Sequence, residues 1–458
     1  MRLLALSGDA VASESDDEPD DGLVLLHEEG VDLHADAVLD IAEIMMHDAS
    51  LDVVTAAWTF ESAEFGVVRR RGVLSPERVR WTNSLGPAVA VRSRTLKATG
   101  WGTDGHHSLS DAALRLSELD ASRGLRLKCA DSTAAHVDTP EEGQAARAEL
   151  HAEAVKRHLA RLGISADVAP LPATDGMPVV SVRRRPCHIP TVALLVPATG
   201  WITEIRGTEG RLVINMLESV TRVTEFPHDR MEIVVVGGPE ADPDLQQIVA
   251  QFDRDRLNDV SFRFVETATP FSHSHRTNLA AANTNAEILV FLNDDTEAVS
   301  PDWLTQITAV ACEPGVGLVG PVMRYPDMQL QSGGHVHPPT NISPRHKLVA
   351  PSQAELMRLG RDVTGVTLAC AALRADHFRA VGGLSARIHN AFNDVDLAMK
   401  LKRRGLRHVS LGCVEMTHLE TVSRAPGAQE FEQRVLLDRW GRDMETERLH
   451  FVDEVVNS

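Results

Sequence analysis

What this chain has little of narrows its chemistry first. Only 4% of its 458 residues are aromatic, with a single tyrosine, too few for the stacking platforms of single-strand nucleic-acid binders. The net charge of −19 argues against a sequence-independent polyanion binder, though not against a nucleotide held through a metal. Five cysteines, Cys129, Cys187, Cys312, Cys370 and Cys413, are scattered, odd in number and never spaced CxxC. A disulfide framework and a structural zinc site are therefore not expected, and a reducing compartment fits best. No run approaches the roughly 18 apolar residues of a membrane-spanning helix. The opening MRLLALSGDAVASESDD has one arginine and turns acidic at once, a poor secretory signal. The expected location is cytoplasmic, with peripheral contact at the inner membrane face left open. No GxGxxG or Walker loop follows the apolar run VALLVP, which removes the dinucleotide and P-loop readings.

What is present suffices for two or three domains: hydrophobic residues make up 43% of the chain. Residues 1–22 read as a flexible acidic segment and 23–168 as a mixed strand and helix region. Residues 169–191, with Pro170, Pro172, Pro178, Pro186 and Pro190, read as a linker. Residues 192–425 form a second mixed region, and 426–458 a charged helical tail. In the second region VALLVP, MEIVVVGG and VSFRFVE are strands alternating with helical patterns, which predicts an α/β, mostly parallel sheet flanked by helices.

The most telling stretch is LVFLNDDTEAVSPDWL at 289–304, an apolar run ending on Asp294 and Asp295. An open α/β sheet binds ligands at such a strand end, and paired carboxylates there suit a divalent cation carrying phosphate. The plainer alternative is an Asp-rich turn capping the next helix. Further motifs follow in order: TGVTLACAALRADHFRAVGGL, AFNDVDLAMKLKRRGLRHV, THLETVSR and DRWG. With these, residues 192–445 resemble family-2 glycosyltransferases of GT-A fold, of the bacterial polysaccharide, rhamnosyltransferase-like type.

The resemblance implies an inverting transfer of a hexosyl or deoxyhexosyl group from a nucleotide sugar to a glycan or lipid-linked glycan, with Mn²⁺ or Mg²⁺ as cofactor. It implies Asp295 and His418 as metal ligands, Asp294 as a donor contact, and Asp394 as the general base. Arg276, Asn278 and Arg424 become further donor candidates, and Thr364 and Gly365 lie on the acceptor side. Asp396 is expected to support its helix start. His335 and His337 are expected to be solvated loop histidines. No nucleic-acid partner is expected, and a homo-oligomer is left open.

The match weakens at the front of the nucleotide pocket. Pro197-Ala198-Thr199-Gly200-Trp201 departs from the family pattern, and Gly237 stands where relatives have a base-holding Asp, with Glu240 or Asp242 as substitutes. The region 23–168 resembles a degenerate partial copy. LHEEGVDLHADAVLDI at 26–41 lies on 292–307, AVRSRTLKATGW at 90–101 on 372–383, and DAALRL at 111–116 on 396–401. This puts Glu28 and Glu29 at Asp294 and Asp295, and Leu109 at Asp394, so the copy should be silent. A catalytically silent binding or scaffolding protein is the alternative for the whole chain.

Overall fold

The computed structural model describes residues 2–6, 22–28, 31, 33–62, 66–137, 141–174, 177–256, 260–335, 355–419, 428–444 and 454–455. The chain divides into two compact units. One comprises Met1–Arg185, Val349–Arg361 and Phe451–Ser458; the other comprises Pro186–Leu348 and Asp362–His450. Among the described residues no helix is long and apolar enough to cross a membrane.

The first unit runs β1 (Arg2–Leu6), β2 (Leu23–Glu28), α1 (Ala35–His47), β3 (Val53–Ser62), β4 (Gly66–Arg71), β5 (Ala88–Arg92), α2 (Ser93–Ala98), α3 (Leu109–Arg123), β6 (Leu127–Val137) and α4 (Glu141–Arg161). In its sheet β1 lies parallel to β2, β2 antiparallel to β5, β5 antiparallel to β3, and β3 parallel to β6. Glu454 and Val455 pair with Arg69 and Val68 at the β4 edge. The stretch expected to be a linker is instead largely a hairpin, β7 (Ala166–Thr174) with β8 (Met177–Arg184). Its prolines are tolerated because a two-stranded ribbon leaves one side of each strand without ladder bonds. Met177, Val179, Val180 and Val182 are buried, which ties the hairpin to its unit.

The second unit opens with β9 (Val192–Pro197), a hairpin β10 (Ile202–Ile205) and β11 (Thr208–Arg211), and α5 (Leu212–Val223). Then come β12 (Met231–Gly237), α6 (Leu245–Arg256), β13 (Ser261–Glu266), α7 (His273–Ala282), β14 (Ile288–Leu292) and β15 (Thr296–Ala298). The rest is α8 (Trp303–Ala311), β16 (Val316–Arg324), β17 (Leu330–Ser332), β18 (Cys370–Arg374), α9 (Ala375–Ala380), α10 (Asn393–Lys402), β19 (Arg407–His418) and α11 (Ala428–Met444).

The sheet order is β13-β12-β9-β14-β18-β16-β19-β15. Its first four strands are parallel, β18 runs antiparallel to both neighbours, and β16 and β19 are parallel again. The sheet is therefore mixed rather than mostly parallel. Every residue of β9 and of β14 is buried, as expected of strands covered on both faces. Trp303, fully buried, donates its Nε1–H to Thr224 Oγ1 at 2.8 Å and anchors α8 beneath the turn after β14.

The two sheets share a succession. In each, a strand with a parallel neighbour (β2, β14) is followed across the sheet by two antiparallel steps and one parallel step. Their registers correct the alignment by one residue. Leu292 faces Cys370 and Asn293 N–H bonds Ala369 O at 3.0 Å; His27 faces Ala88 and Glu28 N–H bonds Pro87 O at 3.0 Å. With residue 372 on residue 90, Glu28 falls on Asn293, not on Asp294, and Gly30 falls on Asp295.

The tail expected at 426–458 is helical over Ala428–Met444. Val435, Leu436 and Trp440 pack with Ile388, Val395 and Met399 in one apolar cluster, so this helix belongs to the second unit's core.

Candidate active site

β14 delivers Asn293, Asp294 and Asp295 at its C-terminal end, and β15 pairs with β19 so that Thr296 faces His418. His418 Nε2 lies 3.1 Å from Asp295 Oδ1. Its Nδ1–H donates to Gln331 Oε1 at 2.8 Å, and Gln331 Nε2 donates to His418 O at 3.3 Å. Gln331 thus fixes the ring and its tautomer, turning the Nε2 lone pair toward Asp295, as partners behind metal-binding histidines do. Sequence reasoning missed Gln331; nothing local in QLQSGG marks it.

Asp294 is pushed up to about 7 by burial and by the neighbouring Asp295 charge, against the opposing pull of the Thr199 N–H and Arg276. Its Oδ2 accepts from Thr199 N at 3.3 Å. Two adjacent carboxylates, one withdrawn from water and resisting ionisation, form a place where a cation lowers the energy. Among the described residues no group of three or more His, Cys, Asp or Glu side chains forms a metal cage. The donor set is the carboxylate of Asp295 with the imidazole of His418. That fits an ion taking few protein ligands and completing its shell with phosphate and water.

Arg276 is fully buried on α7. It donates to Ala198 O at 2.8 Å, pairs with Glu240, and stacks over Phe271 at 4.6 Å. Burial draws its pKa down to about 10 while Asp294 opposes that shift. Gly238 is required here, since a Cβ on it would lie 2.4 Å from Arg276 Nη2. Arg276 therefore ties the loops after β9 and β12 to Asp294. Gly237 has no room for the expected acid: a Cβ would meet Phe264 Cζ at 2.9 Å and Leu245 Cδ2 at 3.1 Å. The substitutes are engaged already, Glu240 with Arg276 and Asp242 with Arg211.

Asn278 corrects an expectation. Its Nδ2 donates to Leu384 O and its Oδ1 accepts from Leu384 N, both at 2.9 Å, so it clamps the Gly382-Gly383 turn and has no polar atom left for a donor. Thr364 and Gly365 are likewise buried, and their main chain is committed to His335: His335 N–H bonds Gly365 O at 2.7 Å and Thr364 N–H bonds His335 O at 3.1 Å. Arg424 and His337 lie outside the described residues.

Asp394 stands in the first turn of α10, preceded by Phe392 at φ 62, a left-handed conformation costly for an aromatic residue. Its Oδ1 accepts from Val395 N at 2.8 Å. The loop before it is held by the buried carboxylate of Glu432 on α11, which accepts from Asn390 N at 2.8 Å and Ala391 N at 2.9 Å. Asp396 is fully buried and accepts from Arg439 and Trp440 at 2.8 and 2.9 Å, with Lys400 3.0 Å away, the supporting role expected of it.

Two histidines connect the motifs, and sequence reasoning missed both. His273 Nδ1 accepts from Asn393 Nδ2 at 3.1 Å, and its Nε2–H donates to Asn293 Oδ1 at 3.1 Å. One imidazole thus spans from the residue before Asp294 to the residue before Asp394. His335 is fully buried rather than solvated, with Nε2 3.5 Å from Asp394 Oδ2. The backbone bridge to Gly365, far away in sequence, draws it inside, and no local pattern announces that.

Residues 190–441 match the family model described as Glycosyltransferase like family 2. The O-antigen biosynthesis protein RfbC of Myxococcus xanthus is 28% identical over 380 residues, 77% of this chain and 27% of that protein. The uncharacterized protein y4gI of Sinorhizobium fredii is 30% identical over 240 residues, 51% of this chain and 25% of that protein. The chain thus spans about a quarter of the length of these relatives. Among solved structures, the mannosyltransferase PcManGT of Pyrobaculum calidifontis, in complex with GDP-Man and Mn²⁺, aligns at TM-score 0.40 and 18% identity over 66% of this chain and 73% of that one. GalNAc-T7 with UDP, GalNAc and Mn²⁺ aligns at 0.44 and 12% over 55% of this chain and 48% of that one.

Proposed function

Since the chain belongs to the glycosyltransferase-like family 2, we propose that its second unit transfers a sugar from a nucleotide donor to a glycan or lipid-linked glycan with inversion, Asp394 acting as base. The observation that carries this reading is the single imidazole of His273 spanning the Asp294–Asp295 turn and the Asn393–Asp394 turn. Single displacement needs one base on the face opposite the leaving group, and Asp394 is the only one of the two α10 acids not locked into buried ion pairs. Asp295 and His418 would hold a divalent cation, which supplies Lewis-acid relief of charge on the departing diphosphate. Asp294 and Arg276 line the same end of the sheet, and Thr199 orients Asp294. A place in surface-polysaccharide assembly follows from the resemblance to the O-antigen biosynthesis protein.

The first unit reads as a partial, silent copy. Glu28 is drawn into an ion pair with Arg147, and buried Leu109 occupies the place of the base. A structural device persists in it: Asp111, fully buried, takes Arg115 one turn on, as Asp396 takes Lys400.

The test is thermal stabilisation by UDP, GDP and dTDP with and without Mn²⁺. Ligand at a hundred times its Kd adds about 2.7 kcal/mol, an easily read shift in midpoint. One nucleotide should stabilise the protein only with the ion, and Asp295→Asn should abolish that response. A flat response to all three would sink the reading. Gln331→Leu should weaken Mn²⁺ binding by about 10–100-fold with the fold intact, because His418 loses the partner that sets its tautomer. Unchanged Mn²⁺ affinity, read by titration in the presence of the stabilising nucleotide, would remove His418 from the ligand set.

A further inference from the structure

We propose that His335 positions the base, its Nε2–H donating to Asp394 Oδ2 and holding the carboxylate ionised and turned toward the acceptor hydroxyl. This rests on the reading of Asp394 as base. His335 Nε2 stands 3.5 Å from that oxygen, a separation of the kind that tightens once substrate is bound. The other carboxylate oxygen already accepts from Val395 N at 2.8 Å, so the two contacts together fix the rotation of the group.

The ring is fully buried, and its main chain is pinned from both sides by the bridge to Gly365. Gly365 is the floor of this arrangement. A Cβ on it would lie 2.8 Å from Ala398 Cβ and 3.3 Å from His335 Nδ1, so only glycine lets the ring and α10 close on one another. Burying an imidazole away from water is costly unless a partner recovers the loss, and the group it faces is Asp394. In the transfer step the acceptor's proton passes to Asp394 as its oxygen bonds the anomeric carbon. The nucleoside diphosphate leaves with the electron pair of the broken C–O bond. His335 keeps its own proton throughout, so its part is orientation.

Two amide variants differing only in reach test this. His335→Gln places an N–H near the position of Nε2, whereas His335→Asn ends short of the carboxylate. The readout is nucleoside diphosphate released from UDP-, GDP- and dTDP-sugars with Mn²⁺ and water as acceptor, at a temperature where both variants are folded. H335N should lose about 10–100-fold in kcat with the donor KM changed less than about twofold, and H335Q should recover most of that loss. In an Asp394→Asn background H335N should cost nothing further, since the group it positions is gone. Equal losses in H335N and H335Q, or wild-type kcat in H335N, would overturn the proposal. Full turnover in Asp394→Asn alone is the separate outcome in which the base assignment itself fails.

Discussion

Replacing Asp394 with asparagine should lower turnover by about 10²–10⁴-fold while leaving metal-dependent nucleotide binding and the melting midpoint close to wild type. The substitution is nearly isosteric. It keeps the oxygen that accepts from Val395 N, so the helix start survives. What it removes is the group able to take a proton as the acceptor oxygen attacks. The measurement is nucleoside diphosphate release beside a thermal-shift titration of the same preparation. Lost turnover with intact binding is the expected pair. Retained turnover would mean that another group serves as base, and the inverting scheme around Asp394 would have to be abandoned.

Two residues on, the opposite pattern should appear. Asp396→Ala should cost about 3 kcal/mol of stability, because Trp440 Nε1 loses its acceptor and Arg439 and Lys400 lose the charge they close upon. Both basic partners keep some access to water, which holds the loss at the low end for a broken buried pair. The midpoint of the affected transition should fall by roughly 6–12 °C. Turnover per folded molecule, measured well below that midpoint, should fall far less than in Asp394→Asn. An Asp396 variant with wild-type midpoint would show that α11 is not held through this carboxylate. Two acids in one helical turn thus divide the work, one reserved for substrate and one spent on the fold.

The contrast indicates what a sequence can reveal about such a site. The strand ending on Asp294 and Asp295 was readable because an apolar run stopped by acids is a local pattern. The supporting role of Asp396 was readable because spacing along a helix is local too. His273, Gln331 and His335 were not. Each acts through a partner 87 to 120 residues away or, for His335, 59 residues away by chain position, joined only by sheet register and loop packing. The donor role expected of Asn278 failed for the same reason, since its partner Leu384 is 106 residues distant. The mixed direction of the sheet was hidden as well: strand direction follows from the path of the connections, and residue types do not encode it. The linker expectation failed because proline content marks chain that resists a ladder on one side, which a two-stranded hairpin does not need.

The pairing of Glu454 and Val455 with the β4 edge bears on the order in which this chain can fold. Synthesis proceeds from the N-terminus, so Arg69 and Val68 emerge long before their partners exist. Until residues 454 and 455 leave the ribosome, the outer side of β4 offers unpaired amides and carbonyls, the kind of edge that invites pairing with a neighbouring chain. Three consecutive arginines, Arg69, Arg70 and Arg71, occupy the end of that strand. Like charges on an edge discourage two such strands from meeting, so the nascent chain carries its own safeguard through the interval before its last strand arrives.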